Sequence, residues 1–154
     1  MKKTFLLGFI LILSITLFVR YANTGVSIKT YETDFKFTVK DIVNALESPG
    51  LHLIPQWDDG SYDGDNLNNV KPRRYEIVDA TLLVYEFDSN EAFINDLDKV
   101  QTIFSEKTNY KLYVLNNVLV IYLWLSESTP TDLADERIAK IEKGIQELVN
   151  SITK

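Results

Sequence analysis

Residues Tyr110–Leu125 read YKLYVLNNVLVIYLWL. Two arms rich in β-branched and aromatic residues flank Asn116-Asn117, and asparagine tolerates the positive φ that a tight hairpin turn requires. The second arm, Val118–Leu125, is apolar at every position, as expected of a strand lying inside a sheet rather than at its rim. Side chains alternate across a strand, which places Leu119, Ile121, Leu123 and Leu125 on one face and Val118, Val120, Tyr122 and Trp124 on the other. The aliphatic face suits helix packing. The opposite face, joined by Tyr85 and Tyr113 from neighbouring strands, is the predicted binding surface, because rings with polar tips are favoured at interfaces. The competing reading is that the first helix covers it.

Outward from the hairpin, the pattern alternates between helical and extended stretches. Val39, Ile42, Val43 and Leu46 fall on one stripe and predict a helix that starts near Thr38, with Asp41 as its capping-box partner. Ser48-Pro49-Gly50 ends it. A short strand at Leu51–Ile54 stops at Pro55, and Tyr75–Phe87 holds strand material, clearest over Ala80–Phe87. Phe93, Leu97, Val100 and Phe104 predict a second helix after Asp88. Ile138, Ile141, Ile145, Leu148 and Ile152 predict the buried stripe of a last helix over Thr131–Ile152. The expected order is α-β-β-α-β-β-α. Its fold class is α+β, a two-layer sandwich on a largely antiparallel sheet.

The chain has 154 residues, 45% hydrophobic and 25% charged, with a net charge of −6. This is ordinary composition for one globular domain. Lys2 and Lys3 precede Phe5–Val19, 15 residues without a charge. As a helix this run would span about 22 Å against a hydrocarbon core of about 30 Å, between a signal-peptide core and a short membrane anchor. The expectation is an anchor or signal peptide over residues 1–25, a tether over 26–37 (with a short strand near Val26–Thr30) and an extracytoplasmic α+β domain over 38–152. The domain is then held at the cell membrane by a single pass; the alternative is secretion after cleavage. Of the 16 Lys and Arg, three lie within residues 1–20, so 13 basic face 22 acidic side chains beyond it, a net −9. That balance argues against nucleic acid as a partner and leaves the N-terminal segment as the only expected membrane contact.

Three further stretches carry chemistry worth weighing. The bend QWDDGSYDGDN, Gln56–Asn66, places Asp59, Ser61, Asp63 and Asp65 in the spacing of the first half of a calcium loop, with Gly64 at the tight turn. The bidentate ligand expected at the twelfth position is Val70 instead, so the bland reading is a solvated acidic bend, with Ca²⁺ the one cofactor the chain admits. KPRR, Lys71–Arg74, is the one dense basic cluster; Arg73 and Arg74 could face an acidic envelope ligand or pair with nearby aspartates. His52, the only histidine, sits between Leu51 and Leu53 on the expected solvent side of a short strand. There is no cysteine, so disulfides, thiol nucleophiles and zinc–thiolate sites are excluded. Without a second histidine, a glycine-rich phosphate loop or G-x-S-x-G, the usual nucleophile and metal sets cannot be assembled, and no enzyme activity is expected.

VKPRRYEI (Val70–Ile77), LLVYEFDSNEAFINDL (Leu82–Leu97) and YVLNNVLVIYL (Tyr113–Leu123) resemble segments of small exported proteins of Bacillus-type Gram-positive bacteria, many of them lipoprotein-like. The resemblance spans about residues 38–152 and implies a location and a fold. It supplies no activity and no functional residue. The absence of cysteine means that this chain's attachment differs. Residues and resemblance together lead to the expectation of a membrane-tethered binding or accessory module without catalysis, its partner an envelope protein or cell-wall component. The alternatives are a calcium-responsive exported domain and a carboxylate-dependent hydrolase.

Overall fold

The computed structural model of the chain describes residues 27–57, 66–89, 100, 108–125 and 129–152. They form β1 (Ser27–Tyr31), α1 (Val39–Glu47), β2 (Ile54–Pro55), β3 (Arg73–Ile77), β4 (Ala80–Glu86), β5 (Thr108–Leu115), β6 (Val118–Leu125) and α2 (Thr131–Ile152). The fold class is α+β. One six-stranded sheet runs β1-β5-β6-β4-β3-β2. Every pairing is antiparallel except β1 with β5, which is parallel, so the sheet is mixed rather than simply antiparallel. The element order departs from the expected one twice: a strand precedes α1, and Tyr75–Phe87, expected as one strand, falls in the β3–β4 hairpin, which turns at Val78-Asp79. Residues 27–37, read as tether, contain β1 and the core side chains of Tyr31 and Phe37. The helix expected from Phe93 to Phe104 lies outside the described residues apart from Val100, which is helical and buried.

The β5–β6 hairpin organises the rest. Leu115 pairs with Val118 across Asn116-Asn117, and Asn116 takes the positive φ, 41°. Asn117 does something the sequence did not announce. Its side chain is buried, accepts from the Phe37 N–H at 2.9 Å, and donates to the Phe37 and Phe87 carbonyls at 3.0 and 3.2 Å. One amide thereby joins the hairpin to the entry of α1 and the exit of β4. The entry of α1 carries the expected capping box of Thr38 and Asp41, and the Glu86 carboxylate accepts from the Val39 N–H at 2.8 Å, a placement favoured at a helix N-terminus.

The sheet separates two apolar clusters. Beneath α1 and α2 lie Tyr31, Leu82, Val84, Tyr113, Leu115, Val118, Val120 and Tyr122, meeting Ile42, Leu46, Ile141 and Ile145. On the other face Leu83, Tyr85, Leu112, Val114, Leu119, Ile121 and Leu123 pack with Leu67, Phe87 and Val100. The helices α1 and α2 therefore cover the face that carries Tyr122, the competing reading of the sequence, while the aliphatic face packs against helical Val100, so the layering is not the simple two-layer one expected. The buried side of α2 is also rotated from the expected stripe: Ala134, Arg137, Ile141, Gly144, Ile145 and Val149 are buried, whereas Ile138, Leu148 and Ile152 are half-buried. Gly144 permits this arrangement. A Cβ there would stand 2.3 Å from the Ala45 carbonyl oxygen, so the two helices cross closer than any side chain allows.

Candidate functional site

Alternation and register decide where the predicted site residues fall. Lys29 pairs with Tyr113, Lys111 with Tyr122, and Tyr122 with Leu82, so Lys29, Tyr31, Lys111, Tyr113, Tyr122 and Trp124 share the helix face. Tyr85 pairs with Leu119 and points to the other face, where it stacks on Phe87 with ring centroids 6.0 Å apart. Of the four predicted aromatics, three come together and Tyr85 does not. The surface they form is covered: Tyr113 and Tyr122 have no exposed area, and Tyr122 stacks on half-buried Trp124 at 5.1 Å. No open aromatic face exists there, because α1 and α2 lie on it.

What α2 covers is polar at its centre. Among the described residues, the hydroxyls of Tyr31, Tyr113 and Tyr122 and the Nη1 of Arg137 are buried with no hydrogen bond of full geometry, although Lys29 faces the Tyr31 hydroxyl and Arg137 the Tyr122 hydroxyl closely enough to act on them as donors. Burial pushes each of the three phenols up, and for Tyr113 the nearby Glu142 carboxylate and the hydroxyls of Tyr31 and Tyr122 push further. The Arg137 guanidinium opposes this at Tyr122, as Lys29 does at Tyr31. These phenols stay protonated near neutrality and act as hydrogen-bond groups, not as nucleophiles or bases.

Two lysines and a glutamate close the cluster at its rim. Lys29 Nζ and Lys111 Nζ each lie 2.6 Å from a different oxygen of Glu142. The same two cations lie 5.5 and 5.9 Å from the ring centroids of Tyr31 and Tyr113. Partial burial pushes the Glu142 carboxyl up, but the hydrogen bonds and charges of Lys111 and Lys29 outweigh it and hold the group below its ordinary range. The hydrogen bond to Glu142 raises Lys29. Counting Lys29, Lys111 and Arg137 against Glu142, the site is a locally cationic spot in a chain of net charge −6.

The remaining predicted residues are not drawn into this site. Arg73 and Arg74 are neighbours on β3, pairing with Val84 and Leu83 respectively, so their side chains leave opposite faces and KPRR is not a single cationic surface. Asp59, Ser61, Asp63 and Asp65 lie outside the described residues. Among the described residues no group of three or more His, Asp or Glu is placed to hold a metal. His52 is exposed between buried Leu51 and Leu53, on the solvent side as expected. A groove of 340 Å³ follows the helix crossing, lined by Asp41, Asn44, Ser48, Gly144 and Glu147 among others; Asp41 is already occupied by the α1 cap.

Sequence reasoning missed Lys29, Tyr31, Lys111, Arg137 and Glu142. A signal for one of them was available: Arg137 lies four residues before Ile141, on the same helical stripe, so an arginine on a buried face needs a polar environment opposite. Comparison with known proteins finds no family model, curated protein or solved structure that matches this chain.

Proposed function

We propose that the chain is a membrane-tethered extracytoplasmic binding module without catalytic activity, and that it takes a small acidic ligand where α2 crosses β1, β5 and β6. The observation that carries this reading is the convergence of Tyr31, Tyr113, Tyr122 and Arg137 on one side of one helix, four buried polar groups that make no well-formed hydrogen bond among the described residues. Native domains keep few such groups, and each asks for an explanation. Three protonated phenols and a guanidinium are donors, and Lys29 and Lys111 add positive charge at the rim. The chemistry complementary to that set is a carboxylate or phosphate oxygen. Entry requires α2 to lift at Glu142, where the two ion pairs are partly exposed, with 41% and 19% of the lysine side chains accessible. Ion pairs in such a setting hold a latch by about 1 kcal/mol or less each.

The test is thermal unfolding of the full-length chain in detergent during titration with inorganic phosphate, acetate and succinate. A binding ligand raises the midpoint in a saturable way, by linkage to the folded state, and the increment disappears in Arg137→Gln and shrinks in Tyr113→Phe. If none of the three anions shifts the midpoint, and Tyr113→Phe is simply more stable, the cluster is strained packing and this binding site is lost.

A further inference from the structure

We propose that the end of the sheet bearing Ile54, Val78 and Leu125 is a lipid-facing surface that rests on the bilayer holding residues 5–19; this builds on the tethered reading above. The direction in which the chain enters the sheet comes first. Ser27 begins β1 level with Lys111 of β5, which is level with Tyr122 of β6. Leu125 lies three ladder positions beyond Tyr122, and Asn116 five beyond Lys111 in the opposite direction, or about 10 and 17 Å at a strand rise of about 3.3 Å per residue. Because β1 runs parallel to β5, the preceding chain approaches from the Leu125 end. Seven residues, 20–26, separate the apolar run from Ser27, and their fully extended reach is at most about 25 Å. The strand β1 thus starts nearer the Leu125 end, and the short tether keeps that end within reach of the bilayer.

Among the described residues, three of the five exposed large apolar side chains lie at that end, while Phe35 is at the hairpin end and Trp57 follows β2. Leu125 closes β6 and is 49% exposed, Val78 occupies the β3–β4 turn at 63%, and Ile54 on β2 is 43% exposed. Ala80 pairs with Trp124, Ile77 with Ala80, and Ile54 with Glu76, so the three side chains form a row along one end of the sheet, about three strand spacings or 15 Å long. Half-buried Trp124 precedes Leu125 on β6 and leaves from the helix face of the sheet, where it reports on the same end. The row is too small to hold a free protein on a membrane. A tether removes that demand by keeping the effective concentration high. Charge gives no attraction: two exposed carboxylates, Asp79 in the turn with Val78 and Glu76 beside Ile54, flank the row, so the contact with neutral lipid is apolar and insensitive to salt.

The test uses the full-length chain with Trp57→Phe, leaving Trp124 as the sole tryptophan of two. The protein is reconstituted into phosphatidylcholine vesicles, some carrying a nitroxide on the lipid headgroup. Flotation reports the anchor and Trp124 emission reports the contact. The expected result is a chain that floats with its vesicles and loses Trp124 emission to the nitroxide, at low and high salt alike, with the emission regained in a Val78→Ser, Leu125→Ser double variant that still floats. Both substitutions are at exposed positions, so the fold tolerates them. A chain that floats with Trp124 unquenched overturns the surface and leaves the anchor standing. One that is quenched equally in the double variant also overturns it. A chain that does not float overturns the tethered reading, and the surface with it.

Discussion

On the face turned away from α1 and α2, β4, β5 and β6 contribute Leu83, Leu112, Val114, Leu119, Ile121 and Leu123, all buried. On the helix face, β5 and β6 contribute Lys111, Tyr113 and Tyr122, and α2 answers them with Arg137 and Glu142. Tyr113, Tyr122 and Arg137 are as buried as the side chains opposite, Lys111 and Glu142 only half-buried, and the worth of that burial differs. Apolar burial contributes roughly 25 cal/mol per Å² wherever it occurs. A buried hydroxyl without a well-formed hydrogen bond gives back about 1–3 kcal/mol, and the helix face holds three. The contrast lies at the polar centre: apolar burial on both faces stabilises the fold, and only the helix face also carries polar groups that stability alone would not retain.

Truncation on the apolar face has the largest expected effect. Leu119→Ala, fully buried against β4 and β5 partners, should cost about 2–5 kcal/mol, read as a lower urea midpoint. Gly144→Ala comes next. Its Cβ meets the Ala45 carbonyl, and the overpacking should cost about 1–3 kcal/mol. The loss should be confined to the helix layer, with faster amide exchange in α2 and little change in the protected amides of β5 and β6. Equal acceleration in both would break the division between the faces.

The phenols test the contrast in the opposite sense. Tyr113→Phe removes an orphaned hydroxyl while keeping the ring, so it should stabilise the fold by about 1 kcal/mol; in Tyr122→Phe the buried Arg137 loses the phenol it faces, so no such gain is expected. A loss of stability in Tyr113→Phe comparable to Leu119→Ala would mean that its hydroxyl is satisfied and the two faces are alike. The alkaline limb supplies the sign. These phenols have folded pKa values above the unfolded value of about 10, so they favour the folded state below that pH. The contribution is lost as pH rises past it, because the unfolded chain ionises first. The parent should lose stability steeply above about pH 10, and Tyr113→Phe less steeply, in parallel with tyrosinate absorbance.

Much of this was legible in the sequence, for reasons that individual residues make plain. The hairpin, the Thr38–Asp41 cap and the span of α2 depend on local chemistry, and all three are present. The position of β1 was harder to read, because its place beside β5 comes from a parallel pairing that no turn announces. LNNV makes the same point within four residues, occurring at Leu67–Val70 and at Leu115–Val118. In the first copy both asparagines have positive φ, 47° and 62°, whereas in the second only Asn116 does. The tetrapeptide specifies a turn, and tertiary context decides which amide becomes Asn117's buried bolt. The polar site was hidden for a related reason: alternation placed Tyr122 on a face, but which face the helices cover is settled by long-range packing, with Arg137 on the buried side of α2.

The smallest expected effect falls on the latch. Glu142 has a folded pKa below its unfolded value, so its contribution is fully present above the ordinary carboxylate range, about pH 4.3, and is lost as pH falls through the folded value. Lys29, raised by the same contact, contributes below about pH 10.4 and loses its share above it. Because both pairs are partly exposed, Glu142→Gln should cost about 1 kcal/mol or less and flatten the acid limb of stability by a similar amount. Its effect on access should exceed its effect on stability. With the carboxylate gone, Lys29 and Lys111 lose the acceptor that ties both to α2, and the positive charge at the rim rises by one. Anion binding at the cluster should therefore tighten in Glu142→Gln while global unfolding hardly changes. If binding weakens instead, Glu142 orients the lysines for the ligand and is no latch; the helix face would then be a preformed site, and α2 would not need to move at all.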